Sequence, residues 1–123
     1  MGDLTEFQLH KQAAEYFRTV LAPEVLWWHT ANNPKSAKHG AWLKDMGLLA
    51  GVPDFLLMWR GNGGIMVMAI EMKTPKGTLS PAQKDFQTRL YNCLGLYFRC
   101  TSLAEINDAL RINGVPTRGR IAA

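Results

Sequence analysis

Gly51-Val52-Pro53-Asp54-Phe55-Leu56-Leu57-Met58-Trp59-Arg60-Gly61-Asn62-Gly63-Gly64-Ile65-Met66-Val67-Met68-Ala69-Ile70-Glu71-Met72-Lys73 is the stretch on which the fold turns. Two apolar runs, Asp54 to Trp59 and Ile65 to Lys73, flank Arg60-Gly61-Asn62-Gly63-Gly64, a glycine-rich turn suited to a β-hairpin. Both runs are apolar at alternate and intervening positions, so helices are expected on both faces of the sheet. An antiparallel pair brings the start of one strand beside the end of the next, so Asp54 is expected to meet Glu71. Glu71 and Lys73, two apart in one strand, project from the same face.

Working outward, Leu4, Phe7, Ala14, Phe17 and Leu21 fall on one side of a helix over Leu4 to Leu21, capped by Asp3 or Thr5 and ended by Pro23. Val25 to Thr30 carries Trp27, Trp28 and a β-branched end before Asn32-Asn33-Pro34, which predicts a strand and a turn. Ser36 caps a second helix running to Leu49, weakened by Gly40 and Gly47. Ser80-Pro81-Ala82-Gln83 is a capping box with proline at the first helical position; its helix carries Phe86, Leu90 and Leu94 and stops at Gly95. Leu96 to Cys100 is a short strand, and the capping box Ser102-Leu103-Ala104-Glu105 opens a last helix to Ile112. The order is αβαββαβα, an α/β fold.

The chain's 123 residues are 47% hydrophobic and 20% charged, which fits one domain over 1–123, with 117–123 as a candidate flexible tail. A chain of this size buries roughly two thirds of its unfolded surface, enough to fold without disulfides. Lys plus Arg is 14 against 10 for Asp plus Glu, a net charge of +4 that fits a polyanionic partner without selecting one. Met1 to Lys11 lacks a secretory pattern, so Cys93 and Cys100 are expected to be reduced core thiols of a cytoplasmic protein. The apolar runs fall far short of the roughly 20 residues needed to cross a bilayer, which excludes a membrane role.

Burying an unpaired charge costs several kcal/mol, on the order of a protein's whole margin, so the charges that close the Ile65 to Ile70 run need solvent or a partner. Two carboxylates with a neighbouring backbone carbonyl make the hard, oxygen-only ligand set that suits Mg²⁺. A water on that metal would be the nucleophile, and Lys73 could orient or deprotonate it and offset charge on a phosphate. The chemistry expected is phosphodiester hydrolysis.

Gly51-Val52-Pro53-Asp54, then Glu71-Met72-Lys73, then Leu79-Ser80-Pro81-Ala82-Gln83 resemble the PD-(D/E)xK nuclease superfamily, and within it the virus-type replication-repair nuclease (VRR-NUC) branch. The resemblance covers nearly the whole chain. It implies a restriction-endonuclease-like core, a mixed β-sheet flanked by helices. Asp54 and Glu71 would bind the metal with the Met72 carbonyl, Lys73 would be the catalytic lysine, and Gln83 would match the family's glutamine. A glutamate on the first helix commonly joins the metal shell; Glu6 borders the apolar face and Glu15 points away from it. Mg²⁺ is the implied cofactor, with Mn²⁺ able to substitute. Stand-alone members resemble homodimers that cut branched DNA, including Holliday junctions, in phages and their bacterial hosts.

Each residue also has a plainer explanation. Pro53-Asp54 is a common turn dipeptide, and Glu71 with Lys73 could be a solvated ion pair. The capping box alone accounts for Gln83, and an amide turned back to the Ser80 N–H would not also hold a metal-bound water, so the two roles compete. Glu6 suits a helix N-terminus in any case. His10, His29 and His39 lack zinc spacing with either cysteine and are expected to be structural or surface residues. Lys35, Lys38, His39 and Lys44 gather charge that could meet DNA phosphate or simply face solvent. Trp27, Trp28 and Trp42 are expected in a core or dimer interface. The competing functions are a non-catalytic basic DNA-binding module, which would not need the intact triad, and a restriction-type endonuclease, for which little length remains to read bases.

Overall fold

The computed structural model describes residues 5–30 and 36–118. The elements follow the expected order: α1 (Glu6–Val20), β1 (Leu26–His29), α2 (Ala37–Asp45), β2 (Phe55–Gly61), β3 (Gly64–Met72), α3 (Pro81–Asn92), β4 (Leu96–Cys100) and α4 (Leu103–Ile112). The sheet is mixed, with strands in sequence order: β1 to β2 and β2 to β3 are antiparallel, and β3 to β4 is parallel. That change of sense follows from the connections. Asn62-Gly63 alone closes the β2–β3 hairpin between the paired Gly61 and Gly64, whereas a parallel neighbour needs a crossover, supplied by α3.

Alternation along the hairpin decides what is buried. Phe55, Leu57 and Trp59 share a face with Met68, Ile70 and Met72, and that face packs against Leu9, Ala13 and Phe17 of α1 and Ile106, Ala109 and Leu110 of α4. The opposite face carries Leu56, Met58, Val67, Ala69 and Glu71. α3 covers its β4 side, where the Tyr91 hydroxyl donates to the Tyr97 carbonyl. The β1 side stays open: Leu26 is 61% exposed, Ile65 is 78% exposed, and α2 buries none of its residues. Helices flank the sheet on both faces, as the sequence leads one to expect: α1 and α4 on one, and α3 on the other, beside β4 where the β3–β4 crossover puts it.

Several local expectations shift for physical reasons. Thr5, not Asp3, caps α1, in a box with Gln8; Asp3 and Leu4 lie outside the described residues. The buried stripe of α1 is Leu9, Ala13 and Phe17, which leaves Phe7 76% exposed. α2 ends at Asp45, four residues early, where Gly47 takes a φ of +101°. After α3 the left-handed residue is Leu94, at φ +68°, and Gly95 lies against Leu90: a Cβ there would stand 2.5 Å from Leu90 Cδ1, so that side chain would have to shift. Ser102 accepts from the Glu105 N–H, but the Glu105 carboxylate bonds Thr101, so the last capping box is displaced by one residue. Cys100 is buried as expected, while Cys93 is exposed. Thr117 bridges to Leu21, and Arg118 donates to the carbonyls of Val20 and Leu21. Residues 119–123 lie outside the described part.

Candidate active site

The site grows from the hairpin register. Phe55 pairs with Ile70, so Asp54, one residue earlier, comes beside Glu71, one residue later. Asp54 is held from two sides: its Oδ2 accepts the Met72 N–H at 2.7 Å, and its carbonyl accepts the Thr30 N–H at 2.8 Å. The Thr30 hydroxyl donates to the Pro53 carbonyl. Since the N–H and C=O of one strand residue project to the same side, the Met72 carbonyl also faces β2, not β4.

Gly51 fixes how Asp54 approaches α3. Its φ is +81°, and a Cβ there would lie 2.3 Å from the Ala82 carbonyl oxygen and 2.8 Å from the Gln83 nitrogen. Backbone atoms in the first turn of a helix cannot yield to that contact. Gly51→Ala is therefore expected to destabilise the fold by about 2–4 kcal/mol, and urea denaturation at constant m-value would read it.

Glu71 is 2% exposed and is the only charged residue in the core among the described residues. Its Oε2 accepts a hydrogen bond from Gln83 Nε2 at 3.2 Å, and its Oε1 is buried with no partner. Burial, followed by the charge of Asp54, pushes its carboxyl up to about 8, against the lowering effect of Lys73. Gln83 serves the cap and touches the site at once: its Oε1 accepts the Ser80 N–H at 2.8 Å while its Nε2 donates to Glu71. Capping therefore leaves the other end of the amide able to reach a site carboxylate. Nearby, the Tyr97 hydroxyl is buried without a partner; burial first, then Glu71 and Asp54, keep its proton on.

These groups open into a cavity of about 440 Å³ whose walls include Glu6, His10, His29, Asp54, Glu71 and Gln83. Glu6, not Glu15, borders it, as the helical wheel suggests. Lys73 lies on the Glu71 face and close enough to act on that carboxyl, but it does not form part of the cavity wall. Lys38 and Lys44 are exposed on α2; Lys35 lies outside the described residues. Trp27 packs against Phe17 at 5.3 Å, whereas Trp28 and Trp42 are 39% and 57% exposed.

His10 and His29, whose spacing suggests structural or surface residues, line the pocket. His10 Nε2 lies 3.0 Å from Asp54 Oδ2 without the alignment of a hydrogen bond, and Asp54 holds the imidazole pKa above its ordinary value. Ligand atoms of His10, His29 and Asp54 all lie within 4.8 Å of one another. Two signals were available: His10 is one helical turn after Glu6, and a β1–β2 pairing that ends at His29 and Phe55 sets His29 beside Asp54.

A carboxylate pair at the open end of a mixed sheet, with an unsatisfied buried oxygen and a glutamine delivered by the next helix, is the arrangement of a metal-using nuclease core. The VRR-NUC domain family model matches residues 6–103, and the chain belongs to that family. It is accordingly a nuclease domain of the PD-(D/E)xK type, a class that uses divalent metals, and its partner is DNA. No curated protein and no solved structure matches the chain. Among the described residues, no helix is long and apolar enough to cross a membrane.

Proposed function

We propose that this single domain is an Mg²⁺-dependent endodeoxyribonuclease, with Mn²⁺ able to substitute, that hydrolyses phosphodiester bonds in branched or structured DNA as a homodimer. Its action resembles that of a Holliday-junction resolvase, in the cytoplasm of a bacterium or a phage-infected bacterium. The observation that carries the metal-site reading is Glu71, a carboxylate 2% exposed whose Oε1 has no partner and which faces Asp54. Such a group is stable only with a proton or a cation. An all-oxygen set of Asp54, Glu71, the Met72 carbonyl and Glu6 suits a hard cation. When bound, that cation supplies Lewis acidity to the phosphate and makes a water more acidic.

The other roles belong to the chain's own groups. Gln83 keeps Glu71 turned toward Asp54 through its Nε2 donor. Lys73 orients the attacking water and offsets negative charge on the phosphate. Lys35, Lys38 and Lys44 meet the DNA backbone. Paired cuts across a junction need two such sites, and a second copy of the chain would also cover the open face at Leu26, Trp28 and Ile65. The preference for branched DNA rests on the family resemblance.

The test is cleavage of a matched panel of four-way junction, flap, single-strand and duplex DNA, with every cut mapped. Junctions and flaps are expected to be cut fastest; short palindromic cuts in linear duplex at equal rates would indicate a restriction-type enzyme instead. Lys73→Ala is expected to lower cleavage by about 10²–10⁴-fold while DNA binding and the far-UV spectrum stay unchanged. Cleavage by that variant at the wild-type rate would remove Lys73 from the mechanism.

A further inference from the structure

The oxygen-ligand site gives no work to the two histidines on the same cavity wall. His29 ends β1 and pairs with Phe55, directly after Asp54, while His10 reaches across from α1. The two imidazoles meet edge-on at 5.5 Å, and His10 and His29 contact the Phe55 ring at 6.1 Å and 5.1 Å. His10 Nε2 is buried with no hydrogen-bond partner, although it stands 3.0 Å from Asp54 Oδ2. At that ion-pair distance the two groups share a proton in the metal-free protein, and with His29 they also place three metal-ligating atoms within 4.8 Å of one another.

We propose that His10, His29 and Asp54 form a second cation site, beside the Asp54–Glu71 position, that takes a borderline transition ion such as Zn²⁺, Co²⁺ or Ni²⁺ in preference to Mg²⁺. Two imidazole nitrogens and one carboxylate oxygen are a donor set these ions favour, and Mg²⁺, which prefers oxygen and sheds water reluctantly, does not. Three protein ligands leave a coordination position open toward the cavity, as in zinc sites that bind a further group. Ligand atoms around a tetrahedral ion stand about 3.4 Å apart, so separations that reach at most 4.8 Å close by up to about 1.4 Å on binding. His29, which is exposed, supplies that movement. Asp54 is common to both positions, but the histidine site does not depend on the protein's cutting DNA.

The probes are Co²⁺, followed by its visible absorption, and Mg²⁺, followed by calorimetry, on the full chain as wild type and as His29→Gln, His10→Gln and Glu71→Gln. His29→Gln and His10→Gln are expected to weaken Co²⁺ binding about tenfold or more, with Mg²⁺ affinity within about twofold of wild type. Glu71→Gln is expected to weaken Mg²⁺ and leave the Co²⁺ spectrum in place. Co²⁺ affinity unchanged in His29→Gln overturns the histidine site even if His10→Gln misfolds, because His29 is exposed at the end of β1. Loss of both metals in Glu71→Gln, with the histidine variants silent, overturns it as well and leaves the Mg²⁺ nuclease reading standing. Absence of Mg²⁺ binding in wild type, with Co²⁺ held through the histidines, supports the second site and sinks the Mg²⁺ reading.

Discussion

Glu71→Gln is expected to abolish DNA cleavage and, at the same time, to make the metal-free protein more stable at neutral and alkaline pH. The two effects share one cause. Glu71 is buried beside Asp54 with one oxygen unpartnered, so its ionised form is disfavoured unless a cation is present. In the metal-free fold its carboxyl is pushed from 4.5 up to about 8. Below about pH 4.5 it is protonated in the folded and unfolded chains alike and contributes no pH dependence. Between that pH and about 8 the unfolded chain releases the proton while the folded chain keeps it, so stability falls by up to about 1.4 kcal/mol per pH unit. Above about 8 the loss is complete. Gln removes the titration, keeps the shape and still accepts from Gln83 Nε2. In EDTA, the gap between variant and wild type in urea unfolding should widen from pH 5 to pH 8 and reach about 2–5 kcal/mol. Cleavage with Mg²⁺ should fall about 10³-fold or more, the loss of several kcal/mol of charge stabilisation. A variant that is less stable than wild type at pH 8 would show that the Glu71 carboxylate is a structural anchor.

The parts legible in the sequence are those set by short-range rules. The hairpin around Asn62-Gly63, the Ser80 box and the strand alternation each depend on neighbours within a few residues, and from them came the element order and the meeting of Asp54 with Glu71. What could not be read depended on which elements lie side by side. Phe7 sits on the predicted apolar side of α1, yet the sheet selects Leu9, Ala13 and Phe17, and Phe7 is left at the rim of the cavity. The two jobs of Gln83 needed the distance to Glu71, which a capping motif does not contain. His10 and His29 are separated by a helix end and a turn, and only the β1–β2 register makes them neighbours of Asp54. Gly95 illustrates the same limit: it follows α3, yet the residue that turns left-handed there is Leu94, while Gly95 lies against the Leu90 side chain.

Phe55→Ala should damage fold and site together, and by more than any surface change. Phe55 is 1% exposed and is the hub of an aromatic cluster, with Phe17 at 5.1 Å, Trp27 at 6.3 Å, and the two pocket histidines on its other edge. Removing the ring leaves a void between α1 and the sheet that neither strand backbone can close, because Phe55 is paired with His29 on one side and Ile70 on the other. A buried phenylalanine truncated in this way costs about 3–5 kcal/mol, a large share of the roughly 5–15 kcal/mol that holds a domain together, and the urea midpoint should fall accordingly. Phe55→Leu separates the two consequences. It refills most of the volume and should cost about 1–2 kcal/mol, so the chain stays folded, but it removes the flat edge that orients both imidazoles. If Phe55 sets the site through those rings, the folded Leu variant will show displaced His10 and His29 ring resonances and weaker Co²⁺ binding, with Mg²⁺ affinity little changed. Unshifted histidine resonances in that variant would mean that α1 and β1 hold the imidazoles without help from the core, and the stability loss in Phe55→Ala would then be a packing effect alone.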